Sequence, residues 1–257
     1  MFSKKMVLAV SVASALTACG GGGSDSTSPP PPPPVTTAEG AYNGTVTHTT
    51  NASAFSAVLL EDGQIWQLYG SDIGGSLIVS GLMQGQGVSS NGSFTSTTTK
   101  DFGLNPAPTF MLNASYVAGV SLKGTYTFGA ASASFAGTAI PAAQFNYNTP
   151  ASLPSVVGNW SMSEIGGNML AVTIAANGTF TMISNSGCTT SGTVAPRTSG
   201  KNIFDVQMIK GPAPCSGPGL KIAGIGIYTT LANGTHQFIM AVVDVSRMYG
   251  TAAFGTR

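Results

Sequence analysis

Apolar and polar residues alternate along most of the chain after residue 38. Leu170, Val172 and Ile174 share one face of such a segment, with Ala171 and Thr173 between them. A period of two is typical of a β-strand, because successive side chains point to opposite faces. No segment after residue 38 shows a sustained helical period with capping residues. The pattern therefore predicts an all-β protein.

Tight turns are indicated by paired residues that tolerate the positive φ of hairpin loops. These pairs are Asn43-Gly44, Asp62-Gly63, Asn91-Gly92, Asn177-Gly178 and Asn233-Gly234. They stand between the alternating segments, so we expect antiparallel strands joined by short turns.

Two segments depart from alternation, because Ile222 to Tyr228 and Phe238 to Val245 are apolar on both faces. Strands of this kind are covered on both sides. The cover is a second sheet, a neighbouring domain or a partner.

The chain divides into two β-rich halves. Ala41-Tyr42-Asn43-Gly44 in the first half and Gly158-Asn159-Trp160-Ser161 in the second are each followed by a turn before an aromatic strand. A proline-rich stretch between the halves favours a boundary. We predict an N-terminal β-domain at 39–140, a linker at 141–154 and a C-terminal β-domain at 155–257. Each domain is a small antiparallel β-barrel or β-sandwich; one composite barrel is the alternative.

Residues 1–18 have the parts of a secretory signal, with Lys4 and Lys5 before a short apolar stretch. That stretch is shorter than the roughly 20 residues that span a bilayer. Leu16-Thr17-Ala18-Cys19 resembles the lipobox of bacterial lipoproteins. The resemblance implies cleavage between Ala18 and Cys19, and a diacylglyceryl group with further acylation, such as palmitate, on Cys19. An ordinary signal followed by an incidental cysteine is the alternative.

Residues 19–38 read as a lipidated, disordered tether, since they are rich in glycine, serine and proline. The run from Pro29 to Pro34 favours a stiff polyproline II spacer. Gly20 follows the cysteine where lipoproteins kept in the inner membrane often have aspartate. We therefore expect a cell-envelope protein that is anchored in the outer membrane through acylated Cys19.

Charged residues make up only 7% of the sequence. From Cys19 onward the chain has eight Lys and Arg and nine Asp and Glu, with no basic cluster. Binding to nucleic acid needs a basic surface, so we exclude it.

The cysteine count fits an exported protein. With Cys19 lipidated, Cys188 and Cys215 remain as a pair. We predict a disulfide between them in an oxidising compartment, with two free thiols as the alternative. Neither cysteine has a second cysteine or a histidine at ligand spacing, so no metal site is predicted.

The sequence offers little equipment for catalysis. It has no nucleophile elbow, phosphate loop or dinucleotide motif, so we predict neither catalytic residues nor a cofactor. Seven carboxylates could in principle form a glycosidase pair. They are Glu61, Asp62, Asp72, Asp101, Glu164, Asp205 and Asp244. Asp244 stands in an apolar run, where burial requires a partner. We expect a structural ion pair with Arg247.

Aromatic side chains are the remaining candidates for a binding face. Trp66, Tyr69 and Trp160 could line a ligand cavity, although strand aromatics also serve as core residues.

The second half carries a family resemblance in Gly158-Asn159-Trp160, Gly187-Cys188, Ser199-Gly200-Lys201-Asn202 and Cys215. These motifs resemble a group of uncharacterised proteobacterial lipoproteins, many from Burkholderia-like lineages, with a lipobox and two β-rich halves. The resemblance implies location and fold but no activity. We interpret the chain as a non-enzymatic binding or interaction module for an unknown envelope or extracellular ligand. A structural or assembly protein and a carboxylate-dependent hydrolase are the alternatives.

Overall fold

Antiparallel strands make up nearly all of the regular secondary structure in this computed structural model, which describes residues 36–48 and 51–257. These residues belong to one compact unit. The predicted signal at 1–18, Cys19 and all but the last three residues of the tether lie outside the described residues. Within the described ranges, no helix is long and apolar enough to cross a bilayer.

The first half of the chain closes into barrel 1. Its strands are β1 (Gly40–Thr47), β2 (Ala52–Leu59), β3 (Gln64–Ile73), β4 (Ser76–Gln86), β5 (Val88–Ser90), β6 (Ser93–Asp101), β7 (Thr109–Val117), β8 (Ser121–Phe128) and β9 (Ala131–Ala139). They follow the order β4-β3-β2-β1-β9-β8-β7-β6, and short β5 extends from β6. The ring closes where Met83 pairs with Asp101 and Gln84 with Lys100, across β4 and β6.

The second half closes into barrel 2, an eight-stranded antiparallel ring in chain order. Its strands are β10 (Gly158–Glu164), β11 (Met169–Ile174), β12 (Thr179–Ser184), β13 (Thr189–Pro196), β14 (Phe204–Lys210), β15 (Lys221–Thr230), β16 (His236–Asp244) and β17 (Gly250–Thr256). Closure is through β10 and β17, where Ser163 pairs with Phe254. The all-β class and the two small barrels are thus confirmed, and each half closes its own ring.

An apolar layer joins the barrels. Trp66, Leu68 and Leu82 on the outer face of β3 and β4 pack in one cluster with Ile225 and Ile239 on the outer face of β15 and β16. The strands that are apolar on both faces therefore have one face in the interior of barrel 2 and the other against barrel 1.

The segment predicted as a linker, 141–154, contributes to the same apolar layer. Phe145 and Tyr147 are buried in the cluster that contains Trp66. A short 3-10 turn at Leu153–Ser155 then leads into β10. The segment is held by packing on both barrels.

Asn43-Gly44 is a correction to the predicted turns, because both residues lie inside β1. A Cβ on Gly44 would lie 2.0 Å from the carbonyl oxygen of Ala136 on β9. Glycine is therefore needed here for close backbone approach. The other four pairs are turns, and Gly63 and Gly178 both have φ of +82°.

The chain enters barrel 1 across the end of the ring near β5 and the β7–β8 turn. The Tyr116 hydroxyl donates to the carbonyl oxygen of Thr36 at 2.5 Å, and the Ala38 N–H donates to Ser89 Oγ at 3.1 Å. Ala38 is fully buried, and its carbonyl accepts a hydrogen bond from Tyr42. These contacts fix the first described residues against the barrel.

Candidate functional site

A groove of about 1200 Å³ runs alongside barrel 2, where barrel 1 meets it. Strands β12 to β15 form one wall, with exposed Gln207, Ile209 and Ala223 among its residues. Gln64, Trp66 and Gln84 from barrel 1 and Arg247 from barrel 2 line it as well. Both barrels contribute to the lining of this groove.

Trp66 is a fixed part of the groove wall. Its side chain is only 2% exposed, and its ring lies so close to Gly224 on β15 that a Cβ there would approach Cη2 to 2.8 Å. The indole N–H donates to Gln64 Oε1 at 3.0 Å. Because the ring is buried between the barrels, its face is not offered to a ligand.

Gln84 lines the groove and has a buried acceptor without a partner. The residue is 7% exposed, and its Nε2 makes only a long contact of 3.4 Å to the carbonyl oxygen of Gly85. Its Oε1 is buried without a hydrogen-bond donor. An unsatisfied buried acceptor costs about 1–3 kcal/mol.

Arg247 reaches from the loop between β16 and β17 onto barrel 1. Its Nη2 donates to the carbonyl oxygens of Gln84 at 2.5 Å and Thr98 at 2.8 Å, which lie beside the β4–β6 seam. The Lys100 ammonium donates to the Arg247 carbonyl oxygen at 2.9 Å. The side chain thus clamps barrel 1 where its strand pairing is short.

The charge of Arg247 has no acidic partner among the described residues. Its Nε is buried without an acceptor, and burial lowers the pKa of the guanidinium. A cation at a groove wall with unused donors favours an anionic group from outside the chain.

The predicted ion pair between Asp244 and Arg247 is wrong. The Asp244 carboxylate accepts hydrogen bonds from the backbone N–H groups of Ser246 at 3.0 Å, Met248 at 2.8 Å and Tyr249 at 2.6 Å. Burial acts to raise the pKa of Asp244, but these bonds and the Ser246 hydroxyl outweigh it and hold the pKa below its usual value. Asp244 shapes the loop, which leaves the arginine free to extend away.

Arg197 lines another part of the groove and, unlike Arg247, has acidic partners. It donates to Glu61 at 2.7 Å, Asp62 at 2.8 Å and Asp205 at 2.7 Å. Burial acts to lower the pKa of Arg197, but Glu61 and Asp205 raise it above its usual value. This cluster connects the β2–β3 turn of barrel 1 to β14. Each of the three guanidinium nitrogens of Arg197 has a carboxylate partner.

The three predicted ligand aromatics lie in three different environments. Trp66 is in the groove wall, whereas Tyr69 lies in barrel 1 and donates to Asp101 at 2.9 Å. Trp160 lies in the core of barrel 2 and donates to the carbonyl oxygen of Val156 at 2.8 Å. The fold does not bring these residues together.

Other candidate residues are placed as follows. Cys188 and Cys215 form the expected disulfide, which joins the start of β13 to the β14–β15 loop. Cys19, the predicted lipidation site, and the cleavage site at Ala18 lie outside the described residues. Across 36–48 and 51–257, no three His, Cys, Asp or Glu side chains gather as metal ligands would.

The carboxylates divide among structural contacts. Glu61, Asp62 and Asp205 share Arg197, and Asp244 holds its own loop. The remaining three bind turn or strand neighbours: Asp72 accepts from Gly75, Asp101 from Tyr69 and Glu164 from Asn168. Burial acts to raise the pKa of Glu61, but its hydrogen bond from Arg197 outweighs it and lowers the pKa.

Comparisons with known proteins add no function. No family model matches the chain, and no curated protein matches it. A crystal structure of a DUF3598-family protein of unknown function from Nostoc punctiforme PCC 73102 matches with 10% identity, a TM-score of 0.24, and coverage of 85% of this chain and 94% of that one. A structure from Bacteroides fragilis NCTC 9343, described as a "putative outer membrane protein", matches with 15% identity, a TM-score of 0.22, and coverage of 85% and 96%. At these TM-scores neither likeness supports a functional argument.

Proposed function

We propose that this chain is a lipid-anchored, non-enzymatic binding protein of the cell envelope that holds its ligand in the groove between the two barrels. The observation that carries the proposal is the unpartnered Oε1 of Gln84 in the wall of that groove. Buried polar groups are nearly always satisfied in folded proteins, so an orphan at a concave surface favours a missing partner.

The groove is suited to binding because rigid contacts define its walls. Trp66 is wedged against Gly224, and Arg197 bridges Glu61 of barrel 1 and Asp205 of barrel 2. A surface that is already ordered loses little conformational entropy when a ligand binds.

The anchor belongs to the proposal on the strength of the sequence. The short apolar leader, the resemblance of Leu16-Thr17-Ala18-Cys19 to a lipobox, and the spacer up to residue 38 all favour a folded unit held near a membrane. Acyl chains contribute about 0.8 kcal/mol per buried methylene, so several chains on Cys19 would anchor it durably.

The carboxylates favour binding over hydrolysis. A glycosidase needs one carboxyl with a raised pKa facing a second carboxylate. Near the groove, Glu61 has a lowered pKa and shares Arg197 with Asp62 and Asp205. Asp101 has a pKa raised by burial, but its hydrogen bonds are to Tyr69 and the Gly103 N–H.

The test of binding is site-specific photocrosslinking in intact cells with the full-length chain. A photoreactive residue at exposed Gln207, in the groove, should give a discrete adduct. The matched position is Val117 on β7 of barrel 1, which is 58% exposed and should give none. Adducts of the same kind at both positions, or none at Gln207, would contradict groove binding and favour an assembly role or no ligand.

The anchor has its own test, which is Cys19→Ala. The variant should leave the membrane fraction, while the unmodified chain stays in it. A variant that remains membrane-bound in growing cells would remove lipidation from the proposal without affecting the groove.

A further inference from the structure

The groove ligand has a recognisable chemistry at one end. On the basis of the proposed binding function, we infer that the groove holds the carboxyl-terminal segment of an extended peptide, with its terminal carboxylate at Arg247 and an amide N–H at Gln84.

The carboxylate follows from the unused donors of Arg247. Two carbonyl oxygens occupy its Nη2, whereas its Nε has no acceptor and no described carboxylate forms a salt bridge with it. Asp244, the nearest carboxylate in sequence, is taken by backbone N–H groups of its own loop. Arginine donors match a planar carboxylate well, and a partly buried site strengthens the pairing.

The amide N–H follows from Gln84. Its Oε1 lacks a donor, and its backbone carbonyl accepts from Arg247, so the guanidinium lies beside the Gln84 backbone at the groove wall. A ligand for both must present an anionic acceptor and an N–H or O–H donor close together. The end of a peptide does so, because its last amide nitrogen is bonded to the Cα that bears the terminal carboxylate.

The rest of the groove fits a peptide better than a saccharide. Its exposed residues combine hydroxyls with small or branched aliphatic groups, such as Thr181, Ser191, Ala223 and Val245. Saccharides are commonly held by exposed aromatic faces. The two aromatic residues that line this groove, Trp66 and Phe180, are only 2% and 4% exposed.

The test is methyl NMR of the full-length chain in detergent, titrated with acetyl-Ala-Ala-Val-Ala. Groove methyl groups of Ile209, Ala223 and Val245 report binding, and those of Val117 and Val120 on barrel 1 report integrity of the fold. The peptide with a free carboxylate should shift the groove signals. The same peptide with a carboxyl-terminal amide should bind at least tenfold more weakly.

Gln84→Glu is the decisive variant, because it supplies a carboxylate to Arg247 from within the chain. It should weaken binding of the peptide with a free carboxylate at least tenfold, while the Val117 and Val120 signals keep their positions. Gln86→Glu adds the same charge two residues along β4, outside the groove lining, and should change affinity less than twofold. Arg247→Gln should weaken the acid peptide tenfold and leave the amide peptide unchanged.

Other outcomes overturn the inference in distinguishable ways. Equal binding of the acid and amide peptides would remove the role of the carboxylate. Groove shifts with inorganic phosphate or chitotetraose, and none with the acid peptide, would replace the peptide with another ligand and leave the proposed function standing. If no probe shifts the groove methyl signals and Gln207 gives no photocrosslink, both the proposed function and the peptide inference are wrong. If no probe shifts the signals but Gln207 does give a photocrosslink, only the peptide inference is wrong.

Discussion

The two barrels have the same number of strands in the ring but are filled in different ways. Barrel 2 has a continuous apolar interior around Trp160, Phe204 and Phe238. Barrel 1 combines an aromatic cluster with buried polar side chains, including fully buried Gln67, whose Oε1 accepts from the Tyr126 hydroxyl at 2.7 Å. The same architecture is therefore supported by packing in one ring and partly by hydrogen bonds in the other.

Each barrel is therefore vulnerable to a different kind of substitution. An apolar interior loses stability when volume is removed, because a cavity remains. A polar interior loses stability when one partner is removed, because the other is left buried and unsatisfied. Gln67 Nε2 already lacks an acceptor, so the interior of barrel 1 contains one unsatisfied donor before any substitution is made.

The largest expected effect is from Phe238→Ala in barrel 2. Phe238 is fully buried, with ring centroids 5.6 Å from Trp160 and 5.9 Å from Phe204. Its removal should lower the free energy of unfolding by about 3–5 kcal/mol, measured by urea denaturation. Val117→Ala, at a residue that is 58% exposed, should change it by less than about 0.5 kcal/mol. Equal losses would show that the core of barrel 2 does not carry its stability.

The disulfide is the next largest effect and belongs to barrel 2 alone. Replacing both Cys188 and Cys215 with serine opens a loop whose ends are 27 residues apart. The loss should be about 3–4 kcal/mol in the chain-entropy account. Reducing agent should lower the stability of the unmodified chain and leave that of the double variant unchanged. Free thiols in non-reducing mass mapping of the unmodified chain would contradict the bond.

Tyr126→Phe tests the polar interior of barrel 1. Removing the hydroxyl leaves Gln67 Oε1 without its donor and should cost about 1–3 kcal/mol. Adding Gln67→Leu to Tyr126→Phe should recover most of the loss, since no polar partner is then stranded. Tyr228→Phe, a partly buried tyrosine stacked on His236, is the control and should be nearly neutral. No recovery in the double variant would mean that shape, rather than hydrogen bonding, sets the cost.

The smallest expected effect is a difference between the barrels in how their stability depends on pH. Burial raises the pKa of Asp101 in barrel 1 above its usual 3.8, so the folded state holds the proton more tightly. Stability should therefore fall as pH rises from about 3.8 through the raised pKa. Asp244 has a lowered pKa, so its contribution is present above 3.8 and is lost as pH falls through the lower value. Asp101→Asn should remove the first slope, seen as a difference in urea midpoints between pH 3 and pH 7, and keep the second.

Much of the fold could be predicted from local patterns. Alternation marks strands such as Met169–Ile174, and four of the five predicted turn pairs are turns. Both the strands and the turns depend on interactions between residues that are close together in the chain. Asn43-Gly44 is the exception because packing against β9 overrides the local preference for a turn.

The candidate site could not be predicted in the same way. Arg247 and Gln84 are 163 residues apart, and they meet only because the barrels dock with a particular orientation. The local sequence predicts other roles for both residues. Arg247 is close to Asp244, which predicts an ion pair, and Gln84 lies in an ordinary strand segment. One signal was available: the strands around Ile225 and Ile239 are apolar on both faces, which indicated that something covers barrel 2.

The attachment of the first described residues has a mechanical consequence. Thr36 and Ala38 are bonded to Tyr116 and Ser89, and the chain then enters β1, which pairs with β2 on one side and β9 on the other. A pull on the amino-terminal end is directed along β1, across two ladders of hydrogen bonds that must shear together rather than open one at a time. Glu39, between these contacts and β1, forms a salt bridge with Lys201 of barrel 2 at 2.5 Å. A pull on the amino-terminal end would therefore load barrel 1 through its strand ladders and barrel 2 through this single side-chain contact.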